Sequence, residues 1–299
     1  MKKIYITGIA GLLGNNLANE LKNKYTITGV DMVQVDIPGI DYNVFDMTDY
    51  AHLKADIEEK RPDILIHTVA VVNVDLCEVN KELANKINAE LTKVVTEICR
   101  SNRIKLIYIS TDAVFDGQGN RLSLETDVVN PQNEYARSKY KGELYARDYE
   151  DHLILRTNIY GINVQNKKSF GEWIVDALLK GEKLNMFTDI YFSPILVNEL
   201  ADIIDKSIEV DLKGLYHACG TGMISKYEFG RKVKKIFSIE TGIINASTSD
   251  SMHFKAPRSK NMGMSNQKIC EALKIKIRTP EESIVKFQEL YRKKERQEM

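Results

Sequence analysis

Residues 3–14 read KIYITGIAGLLG, a short run of β-branched and aromatic residues that leads into three glycines and then a helical pattern through Leu17 and Leu21. Strand, glycine-rich turn and helix follow in the order that a dinucleotide site needs. Glycines let the backbone approach a pyrophosphate, whose charge is met by amides at the helix N-terminus. We therefore predict cofactor contacts at Gly8, Gly11, Leu12, Leu13 and Gly14.

The G-x-x-G-x-x-G spacing is a weak signal alone, because glycines also serve ordinary turns. Its context strengthens it, since a second strand, Tyr25 to Val30, delivers Asp31 near the spacing at which a carboxylate meets the adenosine ribose. A carboxylate that accepts hydrogen bonds from a 2′-hydroxyl repels a 2′-phosphate, and residues 32–41 contain no arginine to compensate. The sequence favours NAD(H) and leaves NADP(H) open.

Two further segments resemble strands of the same sheet. Residues 42–49 form a strand-like run in which Asp46, followed by Met47, either binds the adenine amino group or ends the strand. Residues 63–72 are almost continuously apolar, as expected of a parallel strand covered on both faces. We predict that Asp46, Met47 and Ala70 belong to the cofactor site, and that His67 is a core residue with no catalytic role.

Composition excludes several classes of partner. The 299 residues include 42 basic and 42 acidic side chains, so no global field points to nucleic acid or to an anionic membrane. The four cysteines lack C-x-x-C spacing, which argues against a metal cluster and fits reduced thiols. No stretch reaches the roughly 18 apolar residues of a membrane span. We expect a cytoplasmic protein without a metal.

Three polar side chains follow a predicted strand in the second half of the same domain. A helix is predicted over 81–100 and a strand over 104–110, so that Ser110, Thr111 and Asp112 stand at a strand's carboxyl end, where doubly wound sheets bind ligands. Those side chains could instead cap a turn. We predict that Thr111 and Asp112 bind substrate.

The segment from Asn133 to Asp151 has helical spacing and places Tyr135 and Lys139 one turn apart on the same face. A fixed positive neighbour favours the phenolate, so we expect the pKa of Tyr135 to fall toward the range useful for proton transfer. Such a pair suits a proton donor to a carbonyl oxygen. The alternative is an amphipathic helix with a buried tyrosine and a solvated lysine.

Together with the glycine turn and Asp31, the segments 110–117, 131–139 and 155–157 resemble the extended short-chain dehydrogenase/reductases, and most closely the dTDP-4-dehydrorhamnose reductases. The resemblance continues more loosely through 189–194, 198–201, 214–217, 227–229 and 256–258. It implies that Thr111 hydrogen-bonds the substrate carbonyl, that Tyr135 is the general acid, and that Lys139 binds the nicotinamide ribose and tunes Tyr135. The implied reaction is NAD(P)H-dependent reduction of a 4-keto-6-deoxy sugar linked to a nucleoside diphosphate.

The implied fold is α/β: a doubly wound parallel (Rossmann) sheet with a smaller C-terminal α/β substrate lobe. We expect residues 1–160 to form the dinucleotide domain, 161–299 the substrate lobe, and 187–212 to return partly to the first domain. Helix-like blocks lie near 169–181, 198–209, 225–238 and 280–293. Arg258 either contacts the diphosphate or belongs to a solvated basic loop, and Trp173 either stacks on a base or packs in the core.

The sequence departs from the family pattern on the substrate side. Ala113 replaces a frequent aromatic residue, residues 158–161 lack a tryptophan often found after the strand containing Arg156, and Ser259 replaces a proline. These departures leave open which sugar is bound.

Other functions compete with a reductase. A sugar-nucleotide 4,6-dehydratase would need a carboxylate where this chain has Ala113. An epimerase remains an alternative because it uses the same hydride chemistry. So does a non-catalytic subunit like the regulatory β subunit of methionine adenosyltransferase. The family resemblance also allows a homodimer.

Overall fold

The computed structural model describes residues 1–165 and 167–298. Its strands are β1 (Lys3–Thr7), β2 (Thr26–Asp31), β3 (Asn43–Val44), β4 (Ile64–His67), β5 (Lys105–Thr111), β6 (His152–Thr157), β7 (Ile159–Tyr160), β8 (Lys183–Phe187), β9 (Tyr191–Phe192), β10 (Ile195–Leu196), β11 (Gly214–His217), β12 (Ile224–Ser225), β13 (Ile243–Ser247) and β14 (Asn261–Met262). Its α-helices are α1 (Leu12–Leu21), α2 (Tyr50–Lys60), α3 (Val74–Val79), α4 (Lys81–Asn85), α5 (Leu91–Asn102), α6 (Glu134–Arg147), α7 (Phe170–Leu179), α8 (Val197–Glu209), α9 (Lys226–Ile236), α10 (Gln267–Leu273) and α11 (Pro280–Glu298).

Seven parallel strands form the main sheet in the order β11-β6-β5-β4-β1-β2-β3. The chain winds from β1 out to β3 and then returns across β1 to β4. This reversal leaves a crevice beyond the carboxyl ends of β1 and β4, where doubly wound sheets bind ligands. The predicted Rossmann fold class is confirmed.

Both faces of this sheet are covered, as the continuous apolar runs predict. Side chains alternate along each strand, so Ile4 and Ile6 enter one hydrophobic cluster while Tyr5 between them enters another. The first cluster contains side chains of α1, α8 and α10, and the second contains side chains of α2, α5 and α6.

The structure corrects three predicted elements. The strand expected over 63–72 ends at His67: the Thr68 amide still bonds the Thr7 carbonyl at 3.2 Å, but β1 then gives way to the Gly8 turn and offers no further partner. The strand expected over 42–49 shrinks to Asn43–Val44, because a turn closed by Asp49 N–H on the Asp46 carbonyl replaces the rest. The helix expected over 81–100 is broken by a π-helical turn at Lys86–Glu90.

The C-terminal half divides its packing between two cores. Helices α7, α9 and α11 pack with β8 around a cluster that includes Tyr160, Phe192 and Phe229. Helix α8 packs on α1, and β11 extends the main sheet. We propose on this basis that the dinucleotide domain comprises residues 1–160, that the predicted segment from about 187 to 212 and also β11 and α10 return to it, and that the rest of 161–299 forms the substrate lobe.

Within the described residues, every helix is too short or too polar to cross a bilayer.

Candidate active site

Helix α6 carries the predicted proton donor. The Asn133 side chain caps it by accepting the Ala136 amide at 2.9 Å, and its own amide donates to the Pro257 carbonyl at 3.0 Å. Tyr135 then lies half-buried in the first turn, and Lys139 one turn later is buried. The cap therefore fixes where the helix begins, and with it the direction in which the phenol points.

The Lys139 ammonium does not bear on Tyr135 as the sequence predicts. It donates to the Ile109 carbonyl at 2.8 Å and lies 4.3 Å from the Tyr108 ring centroid. Burial lowers the pKa of Lys139 to about 7, opposed by the nearby Glu143 carboxylate. Burial raises the pKa of Tyr135 to about 12, opposed by a hydrogen bond with the Thr111 side chain. The expected fall in the pKa of Tyr135 is therefore wrong for this structure, because the ammonium is directed to the Ile109 carbonyl while desolvation of the phenol raises its pKa.

Thr111 and Asp112 lie where β5 ends, and the structure brings Thr111 together with Tyr135. The Thr111 hydroxyl accepts the Ala113 amide at 3.2 Å and donates to Asp112 Oδ1 at 3.1 Å. The Asn158 amide donates to Asp112 Oδ2 at 2.6 Å. Burial raises the pKa of Asp112 to about 6, opposed by the bond from Asn158. These contacts show the turn-capping role weighed for Thr111, and its single hydroxyl proton would have to leave Asp112 Oδ1 to reach a substrate carbonyl.

Sequence reasoning missed Asn88, which lies in the π-helical turn and is fully buried. Its side chain accepts the Val71 amide at 2.8 Å and donates to the Val71 carbonyl at 3.2 Å and to Ser138 Oγ at 3.0 Å. Ser138 in turn donates to the Tyr135 carbonyl at 2.9 Å. Asn88 therefore links the segment after β4 to the first turn of α6. Nothing in residues 86–90 distinguishes them in sequence from an ordinary helix.

The glycine turn has the shape that a pyrophosphate requires. Gly8 has a φ of 75°, and a side chain at Gly14 would lie 2.2 Å from the Gly8 carbonyl oxygen, so both positions exclude other residues. Helix α1 has Gly11 at its N-cap, no side-chain cap and no acidic residue in its first turn. Its first amides thus remain available to an anion. These residues fit a dinucleotide.

The predicted flanking contacts differ in their exposure. The side chains of Leu13 and Met47 are buried in the hydrophobic core, which leaves only their backbones to meet a cofactor. Leu12 and Ala70 are partly exposed.

Asp31, the last residue of β2, is tied to the glycine turn. Its carboxylate accepts the Ala10 amide at 3.0 Å and the Met32 and Val33 amides at 2.7 and 3.2 Å. Asp46 accepts the Thr48 amide at 2.8 Å, and this bond lowers the pKa of Asp46. Of its two proposed roles, the structure shows Asp46 closing the turn before α2.

His67 meets the expectation of a core residue. It is fully buried, and its two ring nitrogens lie 2.7 Å from Thr7 Oγ1 and 3.2 Å from Thr92 Oγ1. Burial lowers the pKa of His67 to about 3, so the ring is neutral.

A cavity of about 240 Å³ opens beside Ala113. Four aromatic residues line it, together with two cationic ones: Phe170, Trp173, Phe187 and Phe254, with Lys226 and Arg258. Trp173 is 43% exposed and is not a core residue. A flat apolar wall with a few cationic groups suits a heterocycle joined to an anion.

Arg258 lies in this wall and already has a partner. Its Nη2 donates to Asp75 Oδ2 at 2.8 Å, while its guanidinium carbon lies 4.6 Å from the Phe254 ring centroid. A diphosphate at Arg258 would therefore share or displace the Asp75 carboxylate. Among the described residues no group of three His, Cys, Asp or Glu side chains could hold a metal ion.

Comparison with known proteins gives concordant similarities. The sequence model of the family described as RmlD substrate binding domain matches residues 1–292. The spore coat polysaccharide biosynthesis protein SpsK of Bacillus subtilis is 29% identical over 276 residues, covering 91% of this chain and 92% of that protein. A structure described as a hypothetical dTDP-4-dehydrorhamnose reductase from Sulfolobus tokodaii is 31% identical, with a TM-score of 0.81 and coverage of 93% and 97%. The dTDP-4-dehydrorhamnose reductase of Bacillus anthracis in complex with NADP is 27% identical, with a TM-score of 0.85 and coverage of 96% and 99%.

Proposed function

The chain belongs to the RmlD substrate binding domain family, within the extended short-chain dehydrogenase/reductases, and from this premise we propose that it is an NAD(P)-dependent sugar-nucleotide reductase. Its substrate is a 4-keto-6-deoxy sugar linked to a nucleoside diphosphate. The observation that carries this proposal is the meeting of Thr111 and Tyr135 beside an aromatic cavity at the carboxyl end of β5.

In the proposed mechanism Thr111 and Tyr135 hold the sugar carbonyl oxygen between two hydroxyl groups. With a pKa of about 12, Tyr135 carries its proton at neutral pH and can give it to that oxygen. The bound nicotinamide dinucleotide supplies the hydride. Lys139 lies one turn from Tyr135 and donates to the Ile109 carbonyl at 2.8 Å, and its ammonium would bind the nicotinamide ribose. The glycine turn and Asp31 position the other end of the dinucleotide.

The cavity would hold the substrate from base to sugar, with Arg258 at the diphosphate. Binding energy from these remote parts of a substrate positions the reacting carbon, so removing them lowers turnover as well as affinity. We therefore predict that the sugar is reduced when attached to a nucleoside diphosphate and reduced poorly or not at all as the free sugar. The measurement is NADH oxidation with each form at equal concentration.

The test of reaction type uses NADH deuterated at the transferred position and mass spectrometry of the product. A net reduction places one deuterium on the sugar ring and raises its mass accordingly. Deuterium in a product of unchanged oxidation state would indicate an epimerase. If neither outcome is observed across a panel of nucleotide keto sugars while NADH still binds, a non-catalytic regulatory subunit becomes the favoured function.

Asp31 bears on the choice of dinucleotide, for which we predict tighter binding of NADH than of NADPH. Its carboxylate would accept from the adenosine ribose hydroxyls and repel a 2′-phosphate. Titration calorimetry should show that Asp31→Ala narrows the difference in affinity between NADH and NADPH. Asp36→Ala, which removes an exposed carboxylate in the loop after β2, should leave that difference unchanged. A clear preference of the wild type for NADPH, the reduced form of the NADP named for the Bacillus anthracis structure, contradicts the prediction.

A further inference from the structure

Lys226 occupies a position that helix stability does not explain. It is the first residue of α9, whose N-cap Ser225 accepts the Glu228 amide at 3.1 Å. The positive end of the helix dipole disfavours an ammonium there. The Lys226 amide donates to the Ile190 carbonyl at 2.9 Å, so the backbone is fixed. The side chain therefore starts from a defined point beside the cavity.

The Lys226 ammonium is held by aromatic faces and makes no ion pair with any residue that the structure describes. It lies 3.3 Å from the Phe192 ring centroid and 4.3 Å from that of Phe170. Across residues 1–165 and 167–298 it has neither a hydrogen-bond acceptor nor a carboxylate within ion-pair distance. Burial lowers the pKa of Lys226 to about 8, opposed by Asp112. Ring faces attract the charge but do not satisfy three directional N–H donors, so these remain available to a ligand.

The place of this ammonium in the cavity indicates which part of a ligand it meets. Lys226 lines the cavity together with Ala113, and the carboxylate that acts on it is Asp112, the residue after Thr111. Asp112 is itself occupied by Asn158 and Thr111. Arg258, by contrast, is paired with Asp75 of α3. Lys226 therefore shares the cavity wall with Ala113, two residues after Thr111, and its donors are free of partners among the described residues, whereas Arg258 is occupied by Asp75.

We propose that Lys226 is a specificity-determining residue that donates a hydrogen bond to the sugar hydroxyl next to the carbonyl. This inference rests on the proposed function. In a 4-keto-6-deoxy sugar the carbonyl has one neighbouring carbon that carries a hydroxyl, C3, whereas C5 carries the methyl group. A donor half-buried in the cavity wall that meets this hydroxyl would disfavour sugars that lack it, because the bound sugar would cover the donor and leave it unpaired.

The test compares Lys226→Met with the wild type on two substrates, the dTDP-linked 4-keto-6-deoxy sugar and its 3-deoxy analogue. Methionine keeps an unbranched chain over the two rings and removes the donors. We expect kcat/KM for the 3-hydroxy sugar to fall about 10- to 100-fold, with a much smaller fall for the analogue. Affinities for NADH and for dTDP alone, measured by calorimetry, should be unchanged. Lys235→Met, at an exposed lysine of the same helix, serves as the control.

Several results would overturn the inference. One is an equal loss of kcat/KM on both substrates, and another is a loss of dTDP affinity, which would place Lys226 at the diphosphate. A wild type that reduces both sugars with similar kcat/KM overturns it without any variant, should Lys226→Met fail to fold. If the wild type reduces neither, the proposed function fails and the inference with it, and this outcome is visible before any variant is made.

Discussion

Tyr135→Phe is expected to lower turnover about 10²- to 10⁴-fold while leaving dinucleotide binding nearly intact. The substitution removes the proposed proton donor and retains the ring, which is half-buried in the first turn of α6. Single-turnover kinetics with a nucleotide keto sugar and calorimetry with NADH separate the two effects. Tyr145→Phe, farther along the same helix and half-buried, is the matched control and should change turnover less than about twofold.

Lys139→Ala should weaken both turnover and dinucleotide binding, because the buried ammonium one turn from the proposed acid is the proposed ligand of the nicotinamide ribose. Wild-type turnover in Tyr135→Phe would move the chemistry to another residue. Full activity in Tyr135→Phe together with loss in Lys139→Ala would leave Lys139 as a cofactor ligand alone.

The second large effect is expected in stability, at a buried ion pair on the same helix. Arg156 of β6 and Glu143 of α6 are 1% and 0% exposed, and two hydrogen bonds of 3.0 and 2.6 Å join them. Ser110 of β5 also donates to the Glu143 carboxylate at 2.9 Å. Glu143→Ala leaves the Arg156 charge buried without its partner, so we expect a loss of about 3 to 5 kcal/mol in the free energy of unfolding.

Urea denaturation measures this loss. Glu58→Ala removes one partner of an exposed pair with Lys54 and should change the free energy of unfolding by less than about 1 kcal/mol. The double variant Glu143→Leu with Arg156→Met removes both charges and should recover most of the stability. A single variant Glu143→Ala as stable as Glu58→Ala would show that water or another group takes over the Arg156 charge.

This ion pair also explains how α6 presents its functional face. Tyr135, Lys139 and Glu143 follow one another at four-residue intervals, so they share one side of the helix. Glu143 binds that side to β5 and β6. Gly142 lets α6 approach the π-helical turn closely, since a side chain there would lie 2.4 Å from the Asn88 carbonyl oxygen. The proposed acid and lysine are therefore positioned by contacts one to two turns away.

The features of this protein that depend on local backbone geometry can be predicted from its sequence alone. The run KIYIT followed by three glycines predicts strand, turn and helix because each preference acts within a few residues. The position of Asp31 at the end of the second strand follows from the length of one helix and one strand. The placement of Tyr135 and Lys139 on one face follows from helical periodicity. Parallel strands buried on both faces follow from continuous apolar runs.

The pKa values, ion-pair partners and cavity of this protein depend on groups that are distant in sequence, so they are defined only in the folded structure. Desolvation by surrounding elements, which no local pattern encodes, raises the pKa of Tyr135 where the neighbouring lysine predicted a fall. The π-helical turn that aims Asn88 at Val71 has no compositional mark, and Arg258 gained a carboxylate partner from α3, 183 positions away in sequence. Lys226 lies at the start of the predicted helix block 225–238, and the sequence gives it no role. It is a cavity residue because the fold packs Phe170 and Phe192 against its ammonium. Charges and cavities arise from the sum of many long-range contacts, and these exist only once the chain has folded.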